Sequence, residues 1–145
     1  MGICMDINPY RFIAPWDAFE FANKALHDGS RVLCVSMAWL CTLTPEELME
    51  RPRDIDRATM AYWIERFQPL LQDSQDVPFR VILANRCGIE KTVCYAGSSM
   101  VLHFHKGEVK LYKALGKYEE GCLMVDFDEN PEYLVVGSSQ RGNPV

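Results

Sequence analysis

The chain has 145 residues, a net charge of −5, 48% hydrophobic and 24% charged residues, which is the size and make-up of one globular domain. The acidic balance argues against nucleic acid or an anionic membrane as partner. No run approaches the roughly 20 apolar residues of a membrane span and no signal-peptide pattern stands at the start, so a cytoplasmic protein is expected.

In chain order, Gly2 to Ile7 reads as a short apolar strand ended by Asn8-Pro9. Pro15 to His27 reads as a helix, with Trp16, Phe19, Ala22 and Leu26 at helical spacing and Asp28-Gly29-Ser30 as its stop. Arg31 to Ala38 is a continuous apolar run, expected to be a buried strand parallel to the first. Thr44-Pro45-Glu46-Glu47 is a helix start with a cap, a proline at the first position and a capping box. Pro52 interrupts it, and a longer helix follows with Ile55, Thr59, Tyr62, Trp63 and Phe67 on one face. Four strands are expected next: Phe79 to Asn85, Met100 to Phe104, Val109 to Tyr112 and Cys122 to Phe127, with a tight hairpin at Lys106-Gly107. Residues 129–145 read as a flexible tail. This order implies an α/β layer architecture.

The cysteines number six: Cys4, Cys34, Cys41, Cys87, Cys94 and Cys122. Cys34 and Cys122 sit in apolar runs and read as buried thiols, and no C-x-x-C spacing occurs, so a reduced intracellular protein is expected rather than a disulfide scaffold. Cys4 differs, because it stands where an apolar run gives way to a turn. A thiol attacks as thiolate and at its ordinary pKa is only a few per cent ionised at pH 7, so a nucleophilic cysteine needs a base nearby and donors for the oxyanion. The Met5 amide is placed to be one such donor.

The residues around Cys4 carry a resemblance. Gly2-x-Cys4-x-Asp6 is similar to the nucleophile strand of the nitrilase superfamily of carbon-nitrogen hydrolases, and Met5 through Phe12 resembles the form seen in fungal protein N-terminal amidases. Ser36-Met37-Ala38-Trp39-Leu40 resembles that family's second strand end. Ala84-Asn85-Arg86-Cys87-Gly88-Ile89-Glu90 resembles its Asn-Arg-x-Gly-x-Glu element, Ala96-Gly97-Ser98-Ser99 its Gly-x-Ser element, and Glu119-Glu120-Gly121 its terminal element. The matches follow the family's order over residues 1–128, so these are expected to be the C-terminal half of the hydrolase domain.

The resemblance implies the rest. The fold would be half of a four-layer α-β-β-α sandwich, supplying strands to both sheets and two helices on the outside. Cys4 would be the nucleophile and Met5 the backbone oxyanion donor. Glu90 would bind the free α-amine of a substrate, and Trp39 would wall the pocket. The substrate would be a peptide or protein beginning with Asn or Gln, deamidated to Asp or Glu in the N-degron pathway. No cofactor or metal is implied. The family's Glu base and its Lys both precede the Cys, and Met1-Gly2-Ile3 contains neither. The chain is therefore expected to be inactive alone and to pair with a missing N-terminal half or form a homo-oligomer. The alternatives are another amidase acting on a small amide, or a non-catalytic remnant. Asp6 is expected to orient backbone. His103 and His105 share a strand face, a weak metal signal, with His103 conceivable as a surrogate base for Cys4.

Overall fold

The computed structural model describes residues 1–73 and 76–136. Eight strands form within them: β1 Gly2–Ile3, β2 Val32–Met37, β3 Phe79–Asn85, β4 Cys87–Glu90, β5 Val93–Ala96, β6 Met100–His105, β7 Glu108–Ala114 and β8 Tyr133–Val136. Three α-helices accompany them: α1 Glu20–His27, α2 Pro45–Glu50 and α3 Arg57–Arg66. Six strands make one sheet in the order β1-β2-β3-β6-β7-β8, and β4-β5 is a separate hairpin. β1, β2 and β3 run parallel, and β6 turns back antiparallel to β3. The parallel β1-α1-β2 unit expected from the apolar runs is present.

The register sorts residues between the two faces. Leu33, Val81, Leu102 and Leu111 form one row, and Val35, Leu83 and Met100 the next. All are buried beneath α1, α3 and the short turn Gln68–Gln72, in a core that also holds Trp63, Phe67 and Phe104. The opposite face carries Val32, Arg80, His103, Lys110 and Leu134 in one row and Cys34, Ile82 and Val101 in another. Among the described residues the strands thus make one six-stranded sheet and a separate two-stranded one.

Several expectations change. The first strand ends at Ile3, because the Asp6 carboxylate accepts the Ile3 N–H at 2.8 Å and folds Cys4–Ile7 into a 3₁₀ turn. The helix expected from Pro15 breaks at Phe19, whose φ of 42° separates the turn Trp16–Ala18 from α1. Thr44 caps α2 with the capping box, as its sequence indicated, and α3 starts at an Asp56 cap. The β4-β5 hairpin was not anticipated; Lys91, at φ 56°, takes its turn. Cys122 to Phe127 forms no strand. It crosses the outer sheet face as a strap, held by Lys113 Nζ donating to the Met124 carbonyl at 2.8 Å and by the Phe127 ring 4.9 Å from that of Tyr112. The edge beside β7 is occupied by β8, drawn from the stretch read as a tail; residues 137–145 lie outside the described residues. Among the described residues no helix is long and apolar enough to cross a membrane.

Candidate active site

Cys4 opens the 3₁₀ turn at the C-terminal end of β1. Its thiol is half-buried and packs against the core. The first N–H groups of a helical turn have no partner within it, so the Met5 amide stands at an open turn start. Two residues earlier, a Cβ at Gly2 would lie 2.7 Å from the tip of the Phe21 ring of α1, which would have to shift. Asp6 orients backbone, as expected.

The segment after Cys4 is irregular and is pinned from α3. Tyr62 Oη donates to Asn8 Oδ1 at 2.6 Å, and Asn8 Nδ2 donates to the Cys4 carbonyl at 3.3 Å. Arg66 is buried, with its side chain 1% exposed. Its Nε donates to the Ile7 carbonyl at 2.6 Å, Nη1 to the Trp16 carbonyl, and Nη2 to Glu20 at 3.3 Å. The guanidinium also lies 4.8 Å from the Trp16 ring centroid. Glu20 in turn accepts the Tyr10 N–H, and this bond, followed by the charge of Arg66, holds its carboxyl below the usual range. A buried arginine must satisfy its donors. Here it does so on the loop that follows Cys4.

Trp39 lies just past β2, its ring 5.0 Å from Tyr62 and 6.1 Å from Trp63. It is more a packing surface between sheet and α3 than an exposed wall. Asn85 stitches the strand ends together: its Oδ1 accepts the Trp39 N–H at 2.7 Å and its Nδ2 donates to the Gly97 carbonyl at 2.8 Å. Ser99 Oγ accepts the Asn85 N–H, and the fully buried Ser98 Oγ accepts the Asp56 N–H. At Gly97 a Cβ would collide with the Lys117 backbone. The Asn85, Gly97, Ser98 and Ser99 positions of the resemblance are thus scaffold.

Glu90 is half-exposed on the hairpin, 3.1 Å from Arg86 and 3.0 Å from Tyr95 Oη, so its charge is already compensated. A cleft of about 550 Å³ is lined by Arg86, Cys87, Tyr95, Glu119 and Glu120, and a smaller one of about 230 Å³ by Met5, Asp6, Asn8 and Glu20. Neither cleft brings Cys4, Trp39 and Glu90 together.

His103 is not placed to serve Cys4. It pairs with Arg80 and sits in the register row of Val32, at the far end of β2 from Ser36, and its strand is three positions from β1. Its ring stacks on Tyr112 at 5.7 Å, and burial, then the charges of His105, Lys110 and Arg80, pushes its pKa down. No group of three metal-ligating side chains occurs among the described residues. Sequence reasoning missed Arg66 and the Tyr62–Asn8 pair. The available signal was a cation four residues after Tyr62, on the apolar face of its helix.

No family model matches the chain. It is 31% identical over 140 residues to the protein N-terminal amidase of Schizosaccharomyces pombe, covering 89% of this chain and 47% of that protein. It is 42% identical over 40 residues to the protein N-terminal amidase of Saccharomyces cerevisiae, covering 28% of this chain and 9% of that one. Among solved structures, N-terminal amidase bound to an Asn-Glu peptide superposes with a TM-score of 0.69 at 18% identity, and the Gln-Val complex with 0.65 at 17%; each covers 80% of this chain and 56% of the other. The chain spans about half the length of the relatives it matches. It is similar in sequence to the protein N-terminal amidases and shares the fold of their solved structures over that length.

Proposed function

We propose that this chain forms part of a cysteine amidohydrolase that deamidates an N-terminal Asn or Gln, with Cys4 as its nucleophile. The observation that carries the reading is the placement of Cys4 at the start of a pinned turn, at the mouth of β1, with the Met5 N–H beside it. The Cys4 thiolate attacks the amide carbon, the C–N bond breaks, ammonia leaves with the proton, and water hydrolyses the thioester. The Met5 N–H donates to the oxyanion of the tetrahedral intermediate. Trp39 backs the site from the core side, and Glu90 exchanges Arg86 for the substrate's α-ammonium. The general base and the lysine come from a complementary half, which also covers the outer sheet face. That face supports the reading: Ile3, Val32 and Leu134 are 57%, 52% and 59% exposed on it. The reaction takes place in the cytoplasm.

The test is ammonia release from Asn- and Gln-initiated peptides. The chain alone is expected to be silent, since loss of a general base costs about 10²–10⁴-fold and loss of oxyanion stabilisation a further 10²–10³-fold. Adding a polypeptide that matches the rest of the S. pombe relative should restore turnover, and Cys4→Ala should abolish it. Turnover near ordinary enzyme rates from the chain alone would show that the triad is assigned wrongly.

A further inference from the structure

Cys41 and Cys94 lie outside the chemistry assigned to Cys4. Leu40 bridges Tyr95 antiparallel, flanked by Ala96 N–H donating to the Trp39 carbonyl at 2.8 Å and Cys41 N–H donating to the Cys94 carbonyl at 3.0 Å. This pattern makes Cys41 and Cys94 directly opposed residues, so both side chains emerge on the same face. Opposed residues of antiparallel strands have Cα atoms about 4.5–5.5 Å apart, inside the span of about 4.4–6.8 Å that a disulfide bridges. The Cys41 thiol already folds toward its neighbour, with Sγ 3.7 Å from the Cys94 carbonyl. Cys94 is buried at 3% exposure, whereas Cys41 is partly open to solvent. We propose that Cys41 and Cys94 are a redox-closable dithiol, which on oxidation staples the segment following β2 to the β4-β5 hairpin.

The oxidant class is a small-molecule disulfide such as oxidised glutathione. The accessible Cys41 thiolate attacks one sulfur, the glutathione S–S bond breaks, and one glutathione thiolate leaves. The Cys94 thiolate then attacks the Cys41 sulfur of the mixed disulfide and expels the second glutathione. Two cysteine thiols are oxidised to one cystine, one glutathione disulfide is reduced to two thiols, and the two cysteine protons pass to the leaving thiolates. Burial raises the Cys41 pKa, so the first step speeds up as pH rises through the alkaline range. The staple would hold the hairpin bearing Glu90 and Tyr95 against the segment bearing Trp39, and it closes a long loop, the geometry in which a cross-link restricts the unfolded chain most.

The reduced full chain is incubated with oxidised glutathione at pH 8.5, quenched with acid and mapped by mass spectrometry without reduction. A Cys41–Cys94 cross-linked peptide is expected, with a raised melting temperature that dithiothreitol reverses. Cys94→Ser should instead accumulate glutathione on Cys41, and Cys41→Ser should leave Cys94 largely unmodified. Circular dichroism of the reduced variants checks that they remain folded. Dominant pairing of any other two cysteines, or glutathione retained on Cys41 in the unsubstituted chain, overturns the inference. So does a cross-link that leaves the melting temperature unchanged.

Discussion

On the helix-covered face of the sheet, Val81, Leu102 and Phe104 are fully buried. One residue along the same strands, Ile82, Arg80 and His103 look the other way, onto a face crossed by the Cys122–Phe127 strap. The inner face is uniformly apolar and close-packed. The outer face mixes aliphatic side chains, half of them open, with Arg80, His103 and Lys110, and one polar atom there, His103 Nδ1, is buried without a partner. It is too apolar for a water-facing sheet and too polar for a finished core. Such a face suits an interface, whereas the inner face sets the stability of the fold.

The largest expected effect lies on the inner face. Phe104→Ala should lower the unfolding free energy by about 3–5 kcal/mol, because it leaves a cavity between Phe67 and the sheet. A urea titration monitored by tryptophan fluorescence measures this, and a loss below about 1 kcal/mol would erase the distinction between the faces. Next is Arg66→Ala, which strips the Ile7 and Trp16 carbonyls of their donor and should cost on the order of 3 kcal/mol. Hydrogen exchange should then quicken over residues 8–20 while the β3-β6 pair stays protected. Unchanged exchange in that loop would mean the arginine does not hold it.

A smaller effect concerns pH. Burial holds the folded-state pKa of His103 below the ordinary value near 6.5. The unfolded chain therefore binds a proton first, so stability is full above about 6.5 and declines as pH falls through the folded-state value. His103→Phe should flatten that acid limb, seen as melting temperatures that converge between pH 7 and 5. A variant that keeps the same slope would place the effect on another group. The smallest change is expected for Val32→Thr on the outer face, within about 0.5 kcal/mol. If the face is an interface, the same substitution should lower self-association in sedimentation velocity while leaving the melt in place.

Much of the fold is legible in the chain. The apolar run before Ala38 announces β2, the capping box marks the start of α2, and the strand expected over Phe79 to Asn85 becomes β3. These signals are local: side-chain period, caps and turn residues act over a few neighbours. The failures share a different cause. The Cys122–Phe127 run has the composition of a strand but no strand to pair with among the described residues, since β8 holds the edge of β7. The helix drawn from Pro15 breaks at Phe19, where the preceding loop is tied to Arg66 across the molecule.

The site divides in the same way. The turn that follows β1 at Cys4 was legible, because the change from apolar run to acid and proline is contiguous, while the role proposed for Cys4 rests on the resemblance. Asn85, Ser98 and Ser99 were recognisable as motif positions, but their work as a hydrogen-bond seam between strand ends was not. The pairing of Glu90 with Arg86, the separation of His103 from Cys4 and the opposition of Cys41 to Cys94 all depend on strand order and register. The sequence by itself determined the local elements and the family likeness, because both are carried by neighbouring residues. Tertiary structure alone decided which charges are compensated and which thiols face each other, because those contacts join residues far apart in the chain and exist only once the sheet has set its register.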